Sequence, residues 1–187
     1  ISLVKSASIQ TIMITGDNKE TAVSIARELN LIESADDIVI TSDKLDKMTN
    51  EDIIKIFPKI RVIARAMPSD KSRLVNIAHE QGMVCGMTGD GVNDAPALKK
   101  ADVGFAMGSG TEVAKEASDI VILDNNFMSI AQSVLYGRTI FKSIRKFIIC
   151  QLTINLCSLT VSIIGPFIGI PVPITVVQML WINMIMD

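Results

Sequence analysis

The chain of 187 residues holds one histidine, one tryptophan, one tyrosine and three cysteines. His79 stands alone in a helical stretch without a partner motif, which excludes histidine-dependent catalysis and imidazole-built metal centres, so it is expected at the surface. Cys85, Cys150 and Cys157 have neither metal-ligand spacing nor a disulfide-rich context, and are read as reduced structural thiols. An excess of charge of one sign is also missing. With 18 basic and 20 acidic residues the net charge is -2 and the pI about 5.5, so there is no basic footprint for nucleic acid. Repeats and low-complexity segments are absent. The most informative absence is local: from Phe147 to Met186 no residue is charged. That run of roughly forty residues equals two bilayer crossings at about 20 residues each.

The uncharged run explains a composition that is 49% apolar with a mean hydropathy of +0.40, although the first two-thirds read as an ordinary charged domain. Gly165-Pro166, Gly169, Pro171 and Pro173 interrupt it, which predicts a helix, a turn and a second helix reaching Asp187. Arg138, Lys142, Arg145 and Lys146 crowd the entry to the first span, and the positive-inside rule makes that end cytoplasmic. Ile1 to Ser8 is too short for a signal peptide and is expected to lead directly into a strand. The expected organisation is an α/β domain over 1–125, a stalk helix over 126–146 capped by Asn126, a membrane helix over 147–169, and a turn with the start of a second membrane helix over 170–187.

Within the first part, strands are expected at Thr11–Thr15, Arg61–Ala64, Met83–Met87, Val103–Met107 and Ile120–Leu123, with a small extra strand at Ile38–Thr41. Helical patterns separate them around Lys19–Leu29, Glu51–Phe57, Asp70–Gln81, Pro96–Lys100 and Glu112–Ser118. Such alternation indicates a doubly wound α/β domain with a mainly parallel sheet. Two of the strands run into the same tripeptide, Thr15-Gly16-Asp17 and Thr88-Gly89-Asp90, as expected if both carboxyl ends line one crevice. The second continues as Gly91-Val92-Asn93-Asp94-Ala95-Pro96. Its glycines free backbone N–H groups for an anion, and its carboxylates suit a hard cation.

Those two tripeptides, Arg65 with Pro68 and Lys71, and Ala101-Asp102-Val103-Gly104-Phe105-Ala106-Met107-Gly108 resemble, in order, the phosphorylation domain of P-type cation-transporting ATPases. The tail, with Gln151-Leu152-Thr153-Ile154-Asn155 and Trp181 to Asp187, is similar to the fifth and sixth membrane helices of calcium pumps, nearest the plasma-membrane type. The resemblance implies a haloacid-dehalogenase-like fold and a phosphoryl-enzyme cycle. In that cycle an aspartate in an Asp-Lys-Thr-Gly-Thr motif takes the γ-phosphate of ATP. This sequence lacks that motif, the nucleotide-binding insertion and the actuator domain, so it is read as an internal part of a larger plasma-membrane pump and inactive by itself.

Roles carried over by motif make Asp90 the Mg²⁺ ligand and Asp94 a second acid holding that site. Lys71 neutralises a phosphate oxygen, and Thr15 and Gly16, like Thr88 and Gly89, belong to the phosphate loops. Asn93 orients the phosphoryl group, and Asp17 and Arg65 face the nucleotide. In the tail Gln151, Asn155, Ser158 and Ser162 share one helix side, as do Asn183 and Asp187. An acid at membrane depth marks an ion path, and amide and carboxylate oxygens suit Ca²⁺. Asn155, Asn183 and Asp187 are the expected calcium ligands; Ser158 and Ser162 also fit hydrogen-bonded helix packing. Expected partners are ATP, calcium, the lipid bilayer and the remaining domains of the pump. A secretory-pathway-type calcium and manganese pump, a soluble phosphatase of the same α/β class, and a non-catalytic membrane fragment that perturbs an intact pump are the alternatives.

Overall fold

The computed structural model describes residues 1–170 and 174–186, without the side chains of 176, 185 and 186. Pro171, Pro173 and the expected ligand Asp187 lie outside the described residues. The chain divides into two units, Ile1–Ala131 and Gln132–Asp187.

In the first unit a run rich in Ile and Val forms the inner strand of the first sheet. β1 (Met13–Ile14), β2 (Ile38–Thr41) and β3 (Ile60–Ala64) make a parallel sheet in the order β1-β3-β2, with Ile14 opposite Ile63 and Thr41 opposite Ala64. Alternation along β3 sends Ile63 to one face and Val62 and Ala64 to the other. Ile63 joins Ile40, Leu45, Ile53, Leu74 and Ile77, while Val62 and Ala64 meet Ala22, Ala26 and Leu31. Both faces are thus covered, and each large aliphatic buried contributes about 1.5–3 kcal/mol. The covering helices are α2 (Lys19–Glu28), α3 (Ser42–Asp46), α4 (Asn50–Ile56) and α5 (Pro68–Glu80). Each longer one starts where a side chain satisfies a free N–H. Asn18 accepts from Thr21 N at 2.8 Å, Thr49 from Asp52 N at 3.2 Å, and Asp70 reaches back to Met67 N at 2.8 Å behind Pro68.

A second parallel sheet contains β4 (Gly86–Gly89), β5 (Val103–Met107) and β6 (Ile120–Ile122) in that order. Ala106 points to Met87, Ala97, Leu98 and Ala114, on the side of α6 (Ala95–Lys100) and α7 (Glu112–Glu116). Phe105 points the other way, to Ile122 and Ile130. Ile130 belongs to the opening turns of α8 (Phe127–Ile164), which explains why the first unit runs to Ala131.

Several expectations need correction. Ile1–Ser8 does not lead directly into a strand, because Ser2–Ser6 forms a helix, α1. The strand expected at Met83–Met87 lies at Gly86–Gly89. Met83 and Val84 are 40% and 85% exposed, and pairing with β5 sets the register, with Gly89 opposite Ala106. Ile38–Thr41 is no minor addition but a full partner of β3, and Ser42–Asp46 directly after it forms α3.

In the second unit α8 continues to Ile164, and a 3-10 turn over Gly165–Ile168 ends on Gly169 at φ +90°. Only glycine adopts that conformation without strain. α9 (Val176–Met186) follows. The stretch Phe127–Ile168 contains 18 consecutive residues of mean hydropathy 2.0 and is long and apolar enough to cross a membrane.

Candidate functional site

The site forms where strands of both sheets reach their carboxyl ends. At the end of β1, Thr15 Oγ1 donates to Asp17 Oδ2 at 2.8 Å and accepts from Asp17 N at 3.2 Å, closing a short turn. Three backbone bonds zip this turn to the end of β3: Thr15 N to Ile63 O, Arg65 N to Asp17 O and Ala66 N to Thr15 O, each 2.9 Å. Arg65 makes its bond from a left-handed backbone, φ +52°, uncommon for a residue with a Cβ. Thr15-Gly16-Asp17 and Arg65 therefore lie on adjacent loops, with Arg65, Gly16 and Asp17 exposed.

Next along the chain α5 begins, and Asp70 fixes its start. This carboxylate is 1% exposed, caps Met67 N, and accepts the Ser42 hydroxyl at 2.6 Å. A buried carboxylate at a helix N-terminus is stabilised by the N–H groups and the helix dipole. Lys71, one residue on, sends Nζ to Asp94 Oδ1 at 2.5 Å. That ion pair joins the carboxyl ends of the two sheets, so both Thr-Gly-Asp turns share one side of the unit.

Asp94 is 6% exposed and its carboxylate is fully used: Oδ1 meets Lys71, and Oδ2 accepts from Asp90 N at 3.2 Å and Gly91 N at 3.3 Å. It folds the loop back over Gly89. A Cβ on Gly89 would lie 2.4 Å from Asp94 Cβ, so glycine is required by space. Asp90 is exposed, and its carboxylate makes no hydrogen bond or ion pair among the described residues. Thr88 and Asn93 are exposed beside it. A hard cation fits this arrangement, because Asp90 offers free anionic oxygens while Lys71 and Asp94 hold each other. No cluster of three candidate metal ligands occurs among the described residues.

Some contacts were not foreseen. His79 is exposed, as expected, but it has a partner: Nε2 lies 3.0 Å from Asp102 Oδ2. The same oxygen accepts from Cys85 N at 2.7 Å, and that backbone bond, then the His79 contact, holds the Asp102 pKa below the ordinary carboxylate value. Burial and the Asp102 charge push the Cys85 thiol upward, in keeping with an unreactive cysteine. Neither this cluster nor Ser42–Asp70 has a signal in local spacing, because the partners are 23 and 28 residues apart.

In the second unit Gln151 Nε2 donates to Asn183 Oδ1 at 2.8 Å, linking α8 to α9, while Gln151 Oε1 is buried without a partner. Asn155 is half-buried one turn further on. Ser158 is 6% exposed, and Ser162 returns its hydroxyl to Ser158 O at 2.8 Å, a bond within the helix rather than between helices.

Comparison with known proteins agrees with this geometry. A haloacid dehalogenase-like hydrolase family model matches residues 1–102, and a second of the same description matches residues 72–134. The chain belongs to the haloacid dehalogenase-like hydrolase family. Within that class it is 45% identical over 192 residues to calcium-transporting ATPase 8, plasma membrane-type, of Arabidopsis thaliana, covering 100% of this chain and 18% of that protein. It is also 45% identical over 202 residues to the human plasma membrane calcium-transporting ATPase 4, covering 100% of this chain and 16% of that one. A zinc-transporting PIB-type ATPase in its E2.Pi state is similar in structure, with a TM-score of 0.66 and 27% identity, over 100% of this chain and 24% of that one. The resemblance to plasma-membrane-type calcium pumps thus extends over the whole chain, which spans less than one fifth of the length of these curated relatives.

Proposed function

We propose that the chain is the metal-and-phosphate half of the catalytic site, with the following membrane hairpin, of an ATP-driven calcium pump in the plasma membrane that works through an aspartyl phosphate. The observation that carries this reading is the pairing of Lys71 with Asp94 beside an Asp90 carboxylate that has no partner among the described residues. Mg²⁺ at Asp90 would supply charge neutralisation to a transferring phosphoryl group. Asp94, with its oxygens already committed, stands behind Asp90 and shapes the loop. Lys71 is held where its ammonium meets a phosphate oxygen, Thr15 and Gly16 offer hydroxyl and backbone donors, and Asn93 orients the group. Asp17 and Arg65, on the zipped pair of loops, face the nucleotide. The nucleophilic aspartate lies outside this sequence. Strand order supports a place for it, since β1 and β4, the two strands that run into Thr-Gly-Asp, are both edge strands among the described residues. A parallel strand set against those edges would bring its carboxyl end between the two turns.

In the membrane portion, Asn155, Asn183 and Asp187 would form one calcium site with oxygens from helices outside this sequence. Two-site calcium pumps, as the resemblance implies, carry an acid where this chain has Ser158 and a threonine where it has Met186. Buried Ser158 supplies no charge, and a thioether is a poor ligand for a hard cation. One calcium per ATP is expected in sealed vesicles, and a ratio near two would refute the single site. A soluble phosphatase is disfavoured by the apolar stretch Phe127–Ile168. The test of the main reading uses γ-labelled ATP with Mg²⁺. The longer pump that contains these residues should acquire an acid-stable, hydroxylamine-sensitive label, and this chain alone should acquire none. Label on the chain alone would sink the proposal.

A further inference from the structure

The motif that ends in Met107-Gly108 has no part in the chemistry above, yet the loop that follows it touches the backbone of Asp90. Thr111 N donates to Asp90 O at 2.8 Å. At Gly110 the approach is closer still: a Cβ there would lie 2.9 Å from Asp90 O, 3.0 Å from Asp90 Cα and 2.9 Å from Met107 O. All three neighbours are backbone, so none can swing aside. The other side of the loop is fixed to the turn before α8. Gly108 N donates to Ile122 O at 2.8 Å, and both the backbone N–H and the hydroxyl of Ser109 reach Asn125 Oδ1, at 3.0 and 3.1 Å. Asn125 holds that oxygen in place from a left-handed backbone, φ +51°. Asn and Asp tolerate this conformation better than most residues with a Cβ, and glycine adopts it freely.

We propose that the Gly108–Thr111 loop is the positioning element of Asp90, with Gly110 permitting the backbone contact and Asn125 clamping the loop from behind. The inference rests on the reading of Asp90 as the Mg²⁺ ligand. It adds residues that touch neither metal nor phosphate but decide where the carboxylate stands. Side chains that orient a metal ligand from behind typically change metal affinity by about 10- to 100-fold when altered.

The test compares variants of the longer pump by two readouts: the Mg²⁺ concentration giving half-maximal phosphoenzyme, and amide exchange across 88–94 without Mg²⁺ or nucleotide. Gly110→Ala should raise the Mg²⁺ requirement by about tenfold or more while the maximal phosphoenzyme level changes little, and should speed exchange across 88–94. Asn125→Gly keeps the backbone conformation and removes the acceptor, so it should shift both readouts the same way, less far. Asn125→Asp, which keeps an acceptor oxygen, should restore them. Gly137→Ala, where a Cβ meets nothing within 4 Å, is the control and should leave both unchanged. If Gly110→Ala fails to fold, the Asn125 pair decides alone. Wild-type Mg²⁺ dependence in Gly110→Ala and Asn125→Gly, with Asp90→Asn defective, overturns the positioning role alone. Wild-type Mg²⁺ dependence in Asp90→Asn as well overturns the metal assignment beneath it.

Discussion

Thr15-Gly16-Asp17 and Thr88-Gly89-Asp90 are the same three residues at the ends of two parallel strands, and the molecule treats them differently. The first turn is open. A Cβ on Gly16 would meet nothing within 4 Å, and the Asp17 carboxylate is taken up locally by Thr15. The second is confined from two directions, by Asp94 over Gly89 and by Gly110 against Asp90, and its Asp90 carboxylate is left free among the described residues. The difference fits the proposal that one tripeptide serves two tasks. An open turn with backbone donors tolerates a ligand that arrives and leaves, whereas a metal ligand needs a fixed backbone and an unspent side chain.

The largest separation between the turns is expected in phosphoryl transfer. Asp90→Asn in the longer pump keeps the shape and removes the charge, at a cost on the order of several kcal/mol in phosphoenzyme formation. Asp17→Asn should instead raise the ATP concentration needed, with the maximal phosphoenzyme level largely kept. Quantifying acid-stable label against Mg²⁺ and ATP separates the two; equal behaviour would break the assignment of one turn to metal and the other to nucleotide.

Stability should split them next. Gly89→Ala must displace Asp94 and with it the Lys71 pair, so overpacking by about 1–3 kcal/mol is expected. Gly16→Ala meets open space, and its φ is not positive. Restricting the unfolded chain there should stabilise by about 0.4–1 kcal/mol. Thermal unfolding of the chain in detergent should therefore move in opposite directions. A shared sign would show that Gly16 is constrained in a way its surroundings do not reveal.

The two turns also mark what the sequence makes legible. β3 and β5 follow from short apolar runs and α2 and α5 from helical patterns, signals contained within a few residues. Ile38–Thr41 reads as a strand, but its rank as a full partner of β3 depends on pairing rather than composition. The displacement of β4 has the same reason: the apolar Met83 and Val84 attract the strand signal, while pairing with β5 puts the ladder on Gly86–Gly89. Asp90, Asp94 and Lys71 were legible as a motif. Their division of labour was not, since only the fold brings Lys71 to Asp94 across 23 residues and Gly110 to Asp90. Asp187 lies outside the described residues, and the calcium-ligand assignment stays on the resemblance there.

The smallest expected effect concerns the entrance to β4. Asp102 accepts from Cys85 N and contacts His79, and these bonds lower its pKa from the ordinary value. A lowered folded-state pKa means that the unfolded chain binds the proton more readily, so stability rises with pH through the carboxylate range. The contribution is complete above the unfolded value, about 3.9, and is lost as pH falls through the folded one. Asp102 is 42% exposed at its side chain, so solvent screening keeps the effect below about 1 kcal/mol. Asp102→Asn should therefore lower the thermal midpoint by a few degrees at most at pH 7, and the difference from the unsubstituted chain should shrink and vanish as pH falls through the lowered folded-state value. A difference that persists undiminished at acid pH would assign the role of Asp102 to shape and packing, leaving its charge without a part in holding the strand that presents Asp90.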